Sequence, residues 1–166
     1  MTEKAGPEFD YEICNNRIRP IAEALIAKYE ELRHIDPDKI LFLVNHKSSG
    51  SKKQMVLART GRISPKWTEI LYQLGACSYF YTIEFYAKTT AAMDESQIVA
   101  LVYRELRRIG PEGEILIPDV HDWWQILMGL GRKWFYPDST CPNLLDEDVD
   151  WKKLLGQYYE KAGSAE

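Results

Sequence analysis

The chain has 166 residues, 45% hydrophobic and 28% charged, with a net charge of −4 and a pI near 5.5. That length supports one sizeable core. No apolar run approaches the ~20 residues of a membrane span, and no overall basic field points to nucleic acid or an anionic bilayer. The charge is uneven: residues 1–83 carry 12 basic and 10 acidic side chains, residues 84–166 carry 9 and 15. Cys14, Cys77 and Cys141 are widely spaced, with no C-x-x-C pair. With a polar N-terminus lacking a secretory pattern, they predict reduced thiols and a cytoplasmic protein.

In chain order, residues 1–16 read as a flexible lead. Arg17–Arg33 reads as a helix with Ile21, Ala24, Leu25, Tyr29 and Leu32 on one side, Pro20 falling in its first turn. Asp36-Pro37-Asp38 ends it. The nearly continuous apolar run Lys39–Asn45 predicts an inner strand. His46–Lys53 is a polar Gly/Ser/Lys loop without Walker spacing, so an exposed hairpin rather than a phosphate cradle is expected. A second strand is expected over Gln54–Arg59, a short helix or irregular crossing over Pro65–Gln73, and an aromatic, β-branched strand over residues 78–87.

Ser96–Ile109 has the clearest helical period, with Ile98, Leu101, Val102, Leu106 and Ile109 at spacings of three and four. Asp94, Glu95 and Ser96 supply N-terminal chemistry and Gly110-Pro111 a stop. A second helix is expected over Asp119–Leu130. Trp151–Lys161 reads as the last, with residues 162–166 as a tail. The acidic run Asp146–Asp150 lacks the glycine and terminal glutamate of a calcium loop. The aromatic set Trp123, Trp124, Trp134, Phe135 and Tyr136 suits core and interface better than a base-stacking platform. The spacing of Cys141 and His121 does not support a thiol–imidazole pair. The sum is one α+β domain, 17–161, with a three- or four-stranded mixed sheet packed on helices.

Within the 96–109 helix stands Arg104-Glu105-x-x-Arg108. A zinc peptidase helix carries His-Glu-x-x-His, two imidazoles one turn apart with the glutamate as general base. Arginine cannot take the histidine role, because a guanidinium has no acceptor and stays protonated.

Around that helix lie Val102-Tyr103-Arg104-Glu105-Leu106-Arg107-Arg108-Ile109, then Ile117-Pro118-Asp119-Val120-His121-Asp122-Trp123, with Ala58-Arg59 and Ser64-Pro65-Lys66-Trp67 upstream. In this register residues 17–135 resemble the putative phage and prophage metallopeptidase family, a small zincin-like group. The resemblance implies a zincin-like fold that includes the former active-site helix. It puts metal ligands at Arg104, Arg108 and Pro118, none of which can bind zinc, and leaves Glu105 as a vestigial general base. Zinc is the family's cofactor, so with its ligands absent no cofactor is expected.

Three readings follow. The first is a silent, metallopeptidase-like protein that binds or assembles, with an unnamed protein or a second copy of itself as partner. In it Arg104 and Arg108 replace the metal charge and pair with Glu105 and with Asp119 or Asp122. An aromatic surface near Trp123 and Trp134 would serve the dimer. The second is an altered metal-dependent hydrolase using Glu105 and His121. The third is nucleic-acid or anion binding by the Arg-rich helix, against which the acidic C-terminal half argues.

Overall fold

The computed structural model describes residues 9–47, 56–118 and 122–146. Two compact units divide them, Met1–Pro20 with Asp36–Ala91, and Ile21–Ile35 with Ala92–Glu166. The expected helix Trp151–Lys161, the acidic residues 147–150 and the loop residues 48–53 lie outside the described residues.

The first unit holds a four-stranded mixed sheet in the order β1-β2-β4-β3. Its strands are β1 (Tyr11–Ile13), β2 (Ile40–Asn45), β3 (Ala58–Arg62) and β4 (Tyr81–Tyr86). β2 and β4 run parallel in the middle, with β1 antiparallel to β2 and β3 antiparallel to β4. The apolar run of β2 therefore sits where both neighbours are strands. Side chains alternate across the pleat. Phe42, Ile83 and Thr60 stand in one cross-strand row, and all three are buried. On the other face Leu43, Glu84 and Arg59 share a row and are half-buried or exposed. There Asn45 Nδ2 donates to Glu84 Oε1, which gives the buried amide a partner.

Three expectations shift in this unit. Tyr11–Ile13, placed in the lead, is a strand, because β2 offers it an edge: Cys14 N donates to Phe42 O at 2.9 Å and His46 N to Asp10 O at 2.8 Å. The strand expected over Gln54–Arg59 is displaced to Ala58–Arg62, since pairing with β4, not local propensity, sets its register; Gln54 and Met55 are outside the described residues. Pro65–Gln73 is a helix, α2, with proline in its first turn. It closes on Gly75 at φ 82°, where Gly75 N donates to Tyr72 O and Ala76 N to Leu71 O, both at 3.0 Å. That double bond needs a left-handed residue, which glycine adopts without steric cost. The strand expected over 78–87 shortens to Tyr81–Tyr86, and Ala87–Thr90 forms the short helix α3.

The first helix, α1, runs Asn15–Lys28, two residues earlier than expected, with Glu30–Leu32 as a separate 3-10 turn. Asn15 anchors its start: Oδ1 accepts from Phe42 N at 2.8 Å and Nδ2 donates to Tyr79 OH at 3.0 Å. Pro20 thus lies inside the helix rather than in its first turn. Ile18, Ala22, Leu25, Tyr29 and Leu32 are buried, spaced by three and four, whereas Ala24 faces solvent.

The second unit is built around α4 (Glu95–Leu106), with α5 (Trp124–Leu130) following it. Its core includes Leu25, Leu32, Leu101, Leu106, Ile126, Trp134 and Leu144. Tyr29 ties the segments: its ring lies 4.9 Å from that of Tyr103, and its hydroxyl donates to Leu144 O at 2.9 Å. No helix among the described residues is long and apolar enough to cross a membrane.

Candidate functional site

The helix that carries Glu105 begins in a capping box. Asp94 Oδ1 accepts from Gln97 N at 2.8 Å, and Gln97 Oε1 accepts from Asp94 N at 2.9 Å. The Gln97 amide donates onward to Trp134 O at 2.8 Å and Tyr136 O at 2.7 Å, which satisfies a buried polar side chain and holds the 134–136 segment to the helix. Val99 to Tyr103, Glu105 and Leu106 are all buried. The helix is therefore more central than a one-faced amphipathic pattern predicts.

The α-helix ends at Leu106, not Ile109. Arg108 N donates to Glu105 O and Ile109 N to Leu106 O, a tightening to i−3 bonds. Ile109 then bridges Ile115, Gly110 N donates to Glu114 O at 2.9 Å, and Leu116 N to Arg108 O at 2.7 Å. This reversal draws Arg108 out of the helix, so Arg104 and Arg108 are not a one-turn pair on one helical face.

Arg104 is the hub. Its Nε donates to Asp122 Oδ1 at 2.8 Å and its Nη1 to Glu105 Oε1 at 2.7 Å. The side chain is 15% exposed and those of its partners 0% and 10%. Adjacent helical residues do not face each other, so the guanidinium curls round the helix to reach Glu105. The Asp122 carboxylate is shared further: Oδ1 accepts from Trp123 N at 2.8 Å and Oδ2 from Trp134 Nε1 at 3.0 Å. Trp123 Nε1 donates to Arg104 O at 3.0 Å, satisfying a carbonyl of the last helical turn. The Arg107 guanidinium lies 4.5 Å over the Trp123 ring and also donates to Gln125 Oε1.

These bonds correct the second expected helix. Asp122 and Trp123 are not helical, and α5 starts at Trp124, because the Asp122 carboxylate is held by Arg104, the Trp134 indole and the next backbone N–H. They also correct the expected aromatic surface. Trp123 and Trp134 are buried as hydrogen-bonded core, and only Trp124 and Tyr136 of that set are exposed.

Of the residues singled out in the sequence, Arg104, Glu105 and Asp122 come together. Arg108 sits past the helix end, its Nε buried without a hydrogen-bond partner among the described residues. Pro118 lies in irregular chain after the Ile109–Ile115 bridge. Asp119 and His121 lie outside the described residues. Cys141 is buried, its Sγ 3.8 Å from Ser96 O. Trp123, Trp134, Arg107 and Gln97 belong to the cluster and were not anticipated in it. The signal available was the rule that a buried indole N–H needs an acceptor, which the neighbouring Asp122 could supply.

Zinc takes three or four nitrogen, sulfur or oxygen donors at about 2.0–2.3 Å. At the positions the resemblance assigns to ligands, the chain offers two guanidiniums and a proline. The buried carboxylates of Glu105 and Asp122 are committed to Arg104. Among the described residues no group of three or more His, Cys, Asp or Glu converges to hold a metal. These residues do not fit a zinc ion there.

A four-stranded mixed sheet in one unit and a buried, glutamate-bearing helix at the heart of another define an α+β protein. The chain belongs to the putative phage metallopeptidase family, whose model matches residues 9–159. No curated protein and no solved structure matches the chain.

Proposed function

We propose that this chain is a non-catalytic member of the phage metallopeptidase family, in which a side-chain cation has replaced the metal charge and the protein works by binding or assembly. The bridging position of Arg104 carries the reading: within the second unit one guanidinium holds the buried carboxylates of Glu105 and Asp122 together. A general base must reach the proton it abstracts. Glu105 is instead fully buried and accepts from Arg104. That removes support from an altered hydrolase built on Glu105. Nucleic-acid binding by the Arg-rich helix is equally weakened, since Arg104 and Arg107 are turned to Asp122, Glu105, Gln125 and the Trp123 ring. The free thiols of Cys14, Cys77 and Cys141 suit a reducing cytoplasm.

The test is elemental mass spectrometry on protein loaded with zinc and then dialysed, with peptidase assays beside it. We expect zinc far below one per chain and no activity above that of Glu105→Gln. Stoichiometric zinc, with activity that Glu105→Gln abolishes, would overturn the reading.

A further inference from the structure

β1 is the outermost strand on its side of the sheet, and its free edge is apolar. Phe9, Tyr11 and Ile13 are 70%, 50% and 67% exposed. Tyr11 and Ile13 flank Glu12 in β1, so their side chains lie on one face, and Phe9 precedes the strand beyond a bend at Asp10. Ile13 is in register with Leu43 and Tyr11 with Asn45, which continues the strip onto the half-buried face of the sheet.

The backbone agrees with the side chains. Asp10 and Cys14 bond to β2, through His46 N to Asp10 O and Cys14 N to Phe42 O. In an antiparallel ladder bonding residues alternate, so the N–H and C=O groups of Tyr11 and Ile13 point away from β2. Among the described residues no strand takes them. An exposed edge of this kind templates another strand.

We propose that β1 is a self-association edge, pairing antiparallel with β1 of a second copy about a two-fold axis at Tyr11. This inference does not rest on the loss of metal chemistry. In that register Tyr11 faces Tyr11 of the partner copy, and Ile13 of each copy lies toward the Phe9 end of the other, beyond the Asp10 bend. The pairs fall at odd residues, whose backbone groups are the outward ones. On the opposite face the register sets Asp10 against Glu12, a like-charge pair that is unfavourable by itself. Lys47 Nζ, 2.8 Å from Asp10 Oδ2, offsets the Asp10 charge, and His46 Nε2 lies 3.2 Å from Glu12 Oε2. The Asp10 carboxylate also raises the Lys47 pKa, which keeps that ammonium charged. Lys47 additionally lies 5.6 Å over the Tyr11 ring, holding it at the edge. Six such side chains, each offering on the order of 100 Å², give about 600 Å², below the roughly 1,000 Å² of a stable interface, so the contact is a weak, transient one. The dimer is therefore reversible and concentration-dependent.

The test is sedimentation velocity of the full chain over a wide concentration series, with Tyr11→Pro and Ile13→Lys beside it. The Tyr11 N–H is not used by β2, so proline there removes an inter-copy donor while leaving the β1–β2 bonds in place. Lysine at 13 charges the edge and touches no backbone bond. We expect a monomer–dimer equilibrium in the native chain and a monomer in both variants, with unchanged circular dichroism. If Tyr11→Pro perturbs folding, Ile13→Lys decides. A native chain that stays monomeric throughout, as it would if the edge took a strand of another protein, overturns the proposal. So does a dimer that survives Ile13→Lys.

Discussion

Arg104 is held between two carboxylates that have little other solvent to turn to, and that asymmetry sets what its loss does. A buried ion pair gains little over a well-packed apolar substitute, but removing one partner leaves uncompensated charge. Arg104→Ala would remove the cation from the fully buried Glu105 and from Asp122, which would keep only its neutral donors, Trp123 N and Trp134 Nε1. We expect a loss of about 3–5 kcal/mol in unfolding free energy by urea titration. Arg104→Lys restores the charge but not the fork, since one ammonium cannot reproduce the Nε and Nη1 bonds to two different carboxylates. It should recover only part of the loss. An Arg104→Ala variant as stable as the native chain would mean that the cluster contributes no stability.

Between elements, the bond from Tyr103 to Glu31 ties α4 to the Glu30–Leu32 turn. Tyr103 OH donates to Glu31 Oε1 at 2.5 Å. Burial first, and then the Glu31 carboxylate, raise the phenol pKa above its usual value near 10. The folded chain therefore keeps a proton that the unfolded chain releases above about pH 10. This contribution to stability is complete below that pH and is lost as pH rises through it toward the higher folded pKa. Tyr103→Phe should cost about 1 kcal/mol at neutral pH and flatten the alkaline decline, read by denaturant titrations between neutral and strongly alkaline pH. An equally steep decline in the variant would place its origin elsewhere. Elements also show where local signals stop. The N-terminal chemistry of Asp94, Glu95 and Ser96 is legible from residue types, and α4 starts at Glu95, one residue before the expected Ser96. The end of α4 is not, because Arg107 and Arg108 are good helix formers and only the Ile109–Ile115 bridge pulls them out.

For the molecule as a whole, a structural metal would make binding energy part of folding energy, so that chelation lowers the melting temperature. With Arg104 in the charged role, a chelator should leave the thermal midpoint unchanged in differential scanning calorimetry, and added zinc should not raise it. A midpoint that falls with chelator and returns with zinc would show that a metal stabilises the fold through donors other than those at Arg104, Arg108 and Pro118. The match to the family over residues 9–159 agrees with the family read from spaced motifs. A family is carried by such motifs along the chain, even where individual ligand positions differ from the pattern.

The α+β class, the inner strand β2, the core helix α4 and the family were legible in the sequence, because each rests on local periodicity, capping or motif spacing. The chemistry of Arg104 was legible in part: residue type alone shows that a guanidinium cannot bind zinc. The sequence left Asp119 or Asp122 as its partner, and the tertiary structure decided for Asp122, since an eighteen-residue separation has no periodicity to read. The same holds for the non-helical start of the second segment, the burial of Trp123 and Trp134, and β1. A three-residue strand has too few residues to announce itself, and it exists because β2 leaves an edge for it to pair with.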